Sequence, residues 1–202
     1  MPTRLTLIFA LLLTHAAAQP AAPLQYANKT YKTAKIGTQT WLAENLNYEA
    51  EGSVCYENNP ANCAKYGRLY NWETAMKVCP KGWHLPSSDE WDILLRYVKS
   101  SSGTSSYDSL IFHKPANEGG QYLKAKSGWS KGNGEDQHGF SALPGGYGSS
   151  DGNFYGVGNY SHWWNTTIKD STFHPDIFYN DVGMIFHYFD KSWLLSVRCL
   201  QD

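Results

Sequence analysis

The residues of this chain with the widest choice of chemistry are its four cysteines, Cys55, Cys63, Cys79 and Cys199. A cysteine can join a disulfide, bind a metal as a thiolate or act as a nucleophile. No Cys-x-x-Cys pair is present, which disfavours a zinc site. An even cysteine count favours disulfides, and four cysteines allow three connectivities. Among these we favour Cys55–Cys63, which closes a short loop, and Cys79–Cys199, which closes a long one.

A second candidate for chemistry is residues 148–152, Gly-Ser-Ser-Asp-Gly, which formally match the Gly-x-Ser-x-Gly pattern of hydrolases. A nucleophile elbow of that kind needs a strand before the serine and a helix after it. The next residues, 153–156, read NFYG and do not favour a helix. We therefore interpret residues 148–152 as a turn.

The histidines contain no His-Glu-x-x-His pattern, so a zinc protease helix is not indicated. His84 stands in a Trp-His-Leu-Pro sequence, and we interpret it as a buried structural residue. For His162, His174 and His187 we favour scatter over the fold, and convergence on a metal is the alternative.

Calcium is a further candidate metal, because it binds to oxygen ligands such as carboxylates and amide carbonyls. The candidate ligands lie in loop-like stretches: Glu135, Asp136, Asp151, Asn153, Asn180 and Asp181. The competing interpretation is ordinary turn chemistry, in which Asp and Asn are frequent.

Aromatic residues make up 15% of the chain, and exposed rings can stack on sugars or anchor a protein partner. Most tryptophans are predicted to be core residues: Trp41, Trp72, Trp83, Trp91, Trp163 and Trp193. Four rings stand among glycines in loops and are the candidate ligand-binding residues: Tyr147, Phe154, Tyr155 and Tyr160.

The elements that position these residues begin after an N-terminal leader. Arg4, a short apolar run and the small residues 16–18 have the pattern of a secretory signal peptide over residues 1–18. Residues 19–30 are rich in Pro and Ala and are predicted to be a disordered linker. One domain is expected over residues 31–202.

Two short helices are predicted in the first half of that domain. Asn71 is a suitable N-cap for a helix over residues 71–79, which Pro80 would end. Ser87 with Glu90 forms a capping-box pattern before a second helix, whose apolar residues recur at helical spacing.

Glycines punctuate the second half, and short aromatic runs between them are typical of loops and hairpins. Strands are expected over residues 31–36, with a turn at Gly37, and over residues 183–189 and 193–200, with a turn at 190–192. Early helices followed by antiparallel strands predict an α+β domain.

The charge balance limits the classes of partner. The net charge is −1, and no Lys/Arg cluster suggests nucleic acid as a partner. The N-terminal apolar run is too short to span a bilayer, so no membrane span is expected.

Several of these segments together resemble the Fibrobacter succinogenes major paralogous domain family. The matching segments are 36–48 (IGTQTWLAENLNY), 66–72 (YGRLYNW), 79–86 (CPKGWHLP), 90–91 (EW), 139–146 (GFSALPGG), 163–164 (WW) and 196–199 (SVRC). The resemblance runs from about Tyr31 to Asp202. That family is similar to sulfatase-modifying-factor domains and, more distantly, to C-type lectins.

The resemblance implies a C-type-lectin-like, sulfatase-modifying-factor-like fold, with two short helices, a twisted antiparallel sheet and long loops. In such folds a disulfide joins the first helix to the last strand, which supports Cys79–Cys199. Fold alone does not specify an activity.

The function expected from the sequence is an exported, non-catalytic binding or structural module, located outside the cell, in the periplasm or at the cell surface. Its expected partner is a polysaccharide or an exported or cell-surface protein. Apart from the calcium hypothesis, no cofactor is expected. The alternative is an enzyme related to the formylglycine-generating sulfatase-modifying group, which requires a reactive thiol. A third hypothesis is a scaffold within a larger exported assembly.

Overall fold

The computed structural model describes residues 21–102, 119–169, 171–178 and 185–202. The predicted signal peptide over residues 1–18 and the candidate ligands Asn180 and Asp181 lie outside these residues. The helices are α1 (Pro60–Tyr66), α2 (Trp72–Ala75), α3 (Ser88–Ser101) and α4 (Gly119–Leu123), with a 3-10 helix at Tyr56–Asn58.

The strands are short. They are β1 (Leu24–Tyr26), β2 (Lys29–Tyr31), β3 (Thr33–Ile36), β4 (Gln39–Leu42), β5 (Ser53–Val54), β6 (Leu69–Tyr70), β7 (Trp83–His84), β8 (Tyr147–Gly148), β9 (Phe154–Tyr155), β10 (Tyr160–His162), β11 (Ile168–Lys169), β12 (Ser171–Phe178), β13 (Ile185–Phe189), β14 (Leu195–Ser196) and β15 (Leu200–Gln201). The strand pairings are antiparallel, and the mixture of helices and antiparallel sheets confirms the α+β class.

The central sheet has the strand order β3-β4-β15-β7. Gly37 turns β3 into β4 with a φ of 61°, as the strand-and-turn prediction expected. A Cβ atom at Gly37 would lie 2.8 Å from the ring of Tyr97, so glycine also lets α3 approach this turn. Leu200 of β15 pairs with Trp41 of β4 and with His84 of β7. The last strand is therefore held between two strands from the first half of the chain.

Two further sheets contain the remaining long-range pairings. One has the order β14-β6-β5, and the other has the order β10-β12-β11, with β13 also paired to β12. The predicted turn between the last strands is present, because the Asp190 carboxylate accepts a hydrogen bond from the backbone N–H of Ser192 at 2.9 Å. The strand predicted over residues 193–200 is divided into β14 and β15.

Residues 24–31 form a hairpin, which corrects the prediction of a disordered linker over residues 19–30. The hairpin turns on two residues with φ of 48° and 61°, the geometry of a type I′ turn. Tyr26 then packs its ring 5.0 Å from that of Tyr48. The Pro/Ala-rich composition of residues 19–30 does not predict this hairpin, because the contact of Tyr26 with Tyr48 depends on the tertiary structure.

The α3 helix confirms the predicted capping box. The backbone N–H of Ser87 donates to the Glu90 carboxylate at 2.7 Å, and the Ser87 hydroxyl accepts from the Glu90 backbone N–H at 3.3 Å. One face of α3 is buried in the core through Trp91, Leu94, Leu95 and Val98.

The other helices depart from the predictions. The helix predicted over residues 71–79 ends at Ala75, although Asn71 does cap it as expected. Cys79 lies beyond the helix, next to Pro80, which disfavours helical geometry in the residue before it. The α1 and α4 helices were missed. The Asn59 cap and Pro60 at the first position of α1 are readable helix-start signals, whereas α4 begins with two buried glycines.

Both predicted disulfides are present. Cys55 bonds to Cys63, and Cys79 bonds to Cys199 across 120 residues of sequence. The second bridge joins the segment after α2 to the residue before β15. It thereby ties the first half of the domain to its last strand.

The first of two buried clusters is rich in aromatic rings. The ring centroids of Trp41 and Trp91 lie 4.7 Å apart, and those of Trp91 and Trp163 lie 5.6 Å apart. Phe140 meets all three rings at 5.8–6.0 Å, mostly edge to face. Three of the tryptophans predicted for the core are thus fully buried.

The second cluster lies around the long-range disulfide and contains Leu42, Tyr70, Trp164, Val197 and Cys199. The other predicted core tryptophans, Trp72, Trp83 and Trp193, are only partly buried and pack against this cluster. No helix in the described part of the chain is long and apolar enough to cross a bilayer.

Candidate functional site

The β8–β9 hairpin places two of the predicted ligand-binding residues side by side. Tyr147 and Tyr155 are cross-strand partners, and their ring centroids lie 5.6 Å apart. The hairpin turn contains the Gly-x-Ser-x-Gly match. Because two short strands flank this turn, the structure confirms that residues 148–152 are a turn and not a nucleophile elbow.

The carboxylate of Asp151 fixes this turn. It accepts hydrogen bonds from the Ser149 hydroxyl and from the backbone N–H of Asn153, the latter at 3.1 Å. Its second oxygen accepts from the Asn153 side-chain amide at 2.8 Å. The hydrogen bonds from Ser149 and Asn153 lower the pKa of Asp151. Residues that the sequence offered as calcium ligands therefore act here as turn residues.

Two residues from the last part of the chain extend the tyrosine pair into a row of rings. The ring of Trp193 lies 5.5 Å from that of Tyr147, at an interplanar angle of 10°. Phe189 stacks on Trp193 at 4.3 Å and lies 5.6 Å from Tyr147. We call Tyr147, Tyr155, Phe189 and Trp193 the aromatic row.

The backbone holds the two halves of the aromatic row together. Gly148 exchanges both backbone hydrogen bonds with Leu194 at 2.9 Å, so the hairpin lies against the segment that carries Trp193. A Cβ atom at Gly148 would lie 3.0 Å from the Leu194 side chain, so the absence of a side chain lets the two segments approach closely. Below the row, the buried ring of His162 meets Tyr147 edge-on at 4.8 Å.

Exposure distinguishes the members of the aromatic row. Tyr155 is 44% exposed and is one of few large apolar side chains so accessible among the described residues. Tyr147, Phe189 and Trp193 are partly buried and pack against the second cluster. The row therefore has a firmly packed base and an accessible end at Tyr155.

The other two predicted ligand-binding residues are placed differently. Phe154 lies on the opposite side of the hairpin from Tyr155 and packs on Tyr56 at 5.2 Å. Tyr160 covers Gly156, where a Cβ atom would lie 2.2 Å from its ring. Neither ring belongs to the row. Sequence reasoning missed Phe189, and it assigned Trp193 to the core. The position of Trp193 just after the Asp190 turn was the sequence signal that it is only partly buried.

The remaining calcium candidates lie in another turn. Both carboxylate oxygens of Asp136 accept from Ser141, from its backbone N–H at 2.7 Å and its hydroxyl at 2.6 Å. The Glu135 carboxylate accepts from the Gln137 side chain at 2.9 Å. In the residues that the structure describes, no three His, Cys, Asp or Glu side chains cluster as a metal site would require. The described candidates therefore lie in two separate turns, Glu135 and Asp136 in one and Asp151 and Asn153 in the other.

His84 differs from its predicted role, because its side chain is 37% exposed and not buried. Its Nδ1 lies 2.7 Å from the Asp202 carboxylate and its Nε2 lies 2.8 Å from that of Glu90. Burial opposes protonation, but the hydrogen bonds to Asp202 and Glu90 outweigh it and raise the pKa of His84. The same contact and the Ser87 cap offset the burial of Glu90 and lower its pKa. The histidine therefore links α3, β7 and the C-terminal residue.

Of the other histidines considered as metal ligands, His174 and His187 are register partners on β12 and β13. His162 lies on β10, opposite Asp176 of β12.

Arg198 is a fully buried charged residue, with only 1% of its surface exposed. It donates through Nε and Nη2 to the Asn45 side-chain oxygen at 3.2 and 2.9 Å, and through Nη1 to the carbonyls of Leu42 and Phe140. The ring of Phe140 stacks against it at 4.3 Å. Burial lowers the pKa of Arg198 to about 9, so the group stays charged at neutral pH.

Asn45 connects this arginine to the rest of the core. Its oxygen also accepts from the indole N–H of Trp163 at 2.8 Å, and its amide donates to the carbonyl of Tyr66 and the hydroxyl of Ser196. We call Asn45, Trp163, Ser196 and Arg198 the Arg198 hub. It joins three distant segments of sequence through buried hydrogen bonds.

Comparison with known families matches residues 34–201 to the Fibrobacter succinogenes major domain. The chain belongs to this family. The Fibrobacter succinogenes major domain thus begins within β3 and includes both the Arg198 hub and the aromatic row, whereas the β1–β2 hairpin precedes it. No curated protein and no solved structure matches the chain.

Proposed function

We propose that this Fibrobacter succinogenes major domain is an exported, non-catalytic binding module that uses its aromatic row to recognise a polysaccharide. An exported or cell-surface protein is the other kind of partner that such a surface suits. The observation that carries the proposal is the set of near-parallel rings ending in the exposed Tyr155. Rings of this kind supply contact area at low entropic cost, because few side-chain torsions must be fixed.

Export is supported by the two disulfides, which form and persist in oxidising compartments, and by the signal-peptide pattern of residues 1–18. The proposal includes a C-type-lectin-like fold. The bridge from the segment after α2 to the last strand supports this fold, as do the antiparallel sheets with long irregular connections.

A screen of the purified domain against plant and bacterial glycans and cell-surface extracts tests the proposal. We expect a polysaccharide among the ligands and weaker binding by Tyr155→Ala. Tyr155→Phe should bind nearly as well as the wild type, because it keeps the ring. Ile93→Ala is the matched control, since Ile93 is 47% exposed on α3 and lies outside the row. Equal binding by Tyr155→Ala and the wild type would refute the proposed surface.

The proposal includes no cofactor. The carboxylates of Asp136 and Asp151 accept hydrogen bonds within their own, separate turns, which supports a structural role for both. Binding should therefore be unchanged after treatment with a chelator. Loss of binding on chelation, with recovery on adding calcium, would contradict this part of the proposal.

The alternative function, an enzyme related to the sulfatase-modifying group, requires a reactive thiol. All four cysteine sulfurs are joined in disulfides, which favours the binding module. Thiol titration of the native and the denatured protein distinguishes the two functions. We expect no reactive thiol in either state, and a thiol that reacts in the native protein would favour the enzyme.

A further inference from the structure

A cleft of about 240 Å³ lies where the Arg198 hub meets the surface. It is bounded by the β2 region, residues 43–45, the end of α1, residues 141–143 and Arg198, and it includes no member of the aromatic row. Its volume is somewhat below the range typical of drug-sized ligands and suits a single small unit of a larger molecule.

The cleft is strongly cationic in a chain whose net charge is −1. Lys29, Lys32, Lys65 and Arg198 line it, against the single carboxylate of Glu44. Lys29 pairs with Glu44 at 2.9 Å, whereas Lys32 and Lys65 form no ion pair within the described residues. A concave site with an excess of one sign of charge concentrates ions of the opposite sign.

Arg198 gives the cleft a fixed and buried cation. A guanidinium has five N–H donors, and the hydrogen bonds of Arg198 within the described residues use four of them. Glu44, the carboxylate among the residues that line the cleft, makes no hydrogen bond to Arg198. Its carboxylate instead accepts from the backbone N–H of Lys32 at 3.0 Å and pairs with Lys29. Because Arg198 is only 1% exposed, it adds fixed positive charge to the floor of the cleft and does not itself contact a ligand.

Four of the segments that carry the family resemblance contribute to the walls of this cleft. They are 36–48, 66–72, 139–146 and 196–199, and their lining residues are Ala43, Glu44, Asn45, Tyr66, Gly67, Ser141, Leu143 and Arg198. The buried hub explains why these segments meet. Lys32 and Lys65 are exposed at the opening of the cleft, and the Lys65 ammonium lies 4.7 Å from the centroid of the Tyr66 ring.

We propose that this cleft binds a uronic acid residue of an acidic polysaccharide, with the sugar carboxylate against Lys32 and Lys65 and the buried charge of Arg198 beneath it. The assignment rests on the proposed function in taking the ligand to be a saccharide. The mixture of groups favours a sugar acid over a simple anion. Glu44 can accept from sugar hydroxyls, and Ala64 and Leu143 offer apolar surface to the ring. The domain would then hold its polysaccharide at two places, the cleft and the aromatic row.

Isothermal titration of the purified full domain with galacturonate and glucuronate at low salt tests this inference. We expect binding of at least one uronate, no binding of the neutral methyl galactoside, and weakening as salt is raised. Lys32→Gln/Lys65→Gln should bind at least about tenfold more weakly, because charge-assisted contacts are lost. Lys77→Gln/Lys81→Gln removes the same charge from exposed positions outside the cleft and should bind as the wild type does.

Several results would overturn the assignment. They are no uronate binding, equal binding of the neutral galactoside, unchanged binding by Lys32→Gln/Lys65→Gln, or equal competition by sulfate or an acidic peptide. The lysine variants keep the test independent of folding, whereas changes at Arg198 would disturb the hub. If glycans bind through Tyr155 but uronates do not bind, the cleft assignment fails and the proposed function stands. If uronates bind and Tyr155→Ala binds every glycan normally, the aromatic row is wrong and the cleft stands.

Discussion

The Arg198 hub and the aromatic row are built on opposite principles. In the hub, Asn45 and Arg198 are buried and form hydrogen bonds within the chain. In the row, Tyr155 is exposed and the rings use only part of their surface on one another. Buried polar groups must be satisfied or they destabilise the fold, whereas an exposed ring is stable with or without a partner. The comparison assigns architecture to the hub and recognition to the row.

The largest loss of stability is expected when the long-range disulfide, which closes the fold around the hub, is removed. Cys79→Ala/Cys199→Ala should lower the free energy of unfolding by about 5 kcal/mol, and Cys55→Ala/Cys63→Ala by about 2.5 kcal/mol, from loop-closure entropy. The bridges span 120 and 8 residues of sequence, which sets this order. Urea unfolding without reductant measures both. A larger loss from the short bridge would contradict the fold-closing role of Cys79–Cys199.

Asn45→Ala tests the hub itself. It removes the acceptor of Arg198 and Trp163 and leaves a buried charge with fewer partners, so stability should fall by about 3 kcal/mol. The matched control is Asn47→Ala two residues away, whose side chain makes no hydrogen bond within the described residues and should cost less than about 0.5 kcal/mol. Equal effects of the two changes in urea unfolding would show that the hub is not a stabilising centre.

Trp193→Ala tests the packed base of the aromatic row. Since Trp193 is only partly buried, its loss should cost about 2 kcal/mol, less than the 3–5 kcal/mol typical of a core tryptophan. Urea unfolding measures the cost, with Trp163→Ala as the buried comparison. If Trp193→Ala destabilised the domain as much as Trp163→Ala, the row would belong to the core.

A smaller effect is expected from pH. The folded pKa of His84 is raised above 6.5, so its contribution is complete below about pH 6.5 and is lost as pH rises through the folded value. Glu90 has a lowered pKa, so its contribution is lost only as pH falls below its ordinary value of 4.5. The contact is therefore strongest between about pH 5 and 6.5.

Urea unfolding of the wild type and His84→Gln at pH 6 and pH 9 measures this contribution. The stability difference between the two proteins should be larger at pH 6, and other titrating groups cancel in the comparison. A difference that is the same at both pH values would contradict a charged His84 in the folded state.

Sequence reasoning succeeded where the signal was local. The capping box of Ser87 and Glu90, the Asp190 turn and the turn reading of residues 148–152 depend on neighbours within a few residues. The two disulfides also agree with prediction, since the spacing limited the choices and the family resemblance favoured the long one.

It failed where tertiary contacts decide. The α4 helix contains two glycines whose burial, and not their propensity, accounts for its position. His84 was predicted to be buried, but it is half-exposed and bonds to two carboxylates. One belongs to Asp202, 118 residues away, and the other to Glu90 in the first turn of α3. Phe154 is separated from Tyr147 and Tyr155 by strand alternation in a hairpin, whose register a run of glycines and aromatics does not specify.

The division between hub and row is tested most directly by measuring binding and stability together for Tyr155→Ala, on a polysaccharide that the wild-type domain binds. The account predicts at least about tenfold weaker binding, because an exposed aromatic anchor is lost, with an unfolding free energy within about 0.5 kcal/mol of the wild type. Wild-type affinity in Tyr155→Ala would contradict the account and place recognition elsewhere on the domain.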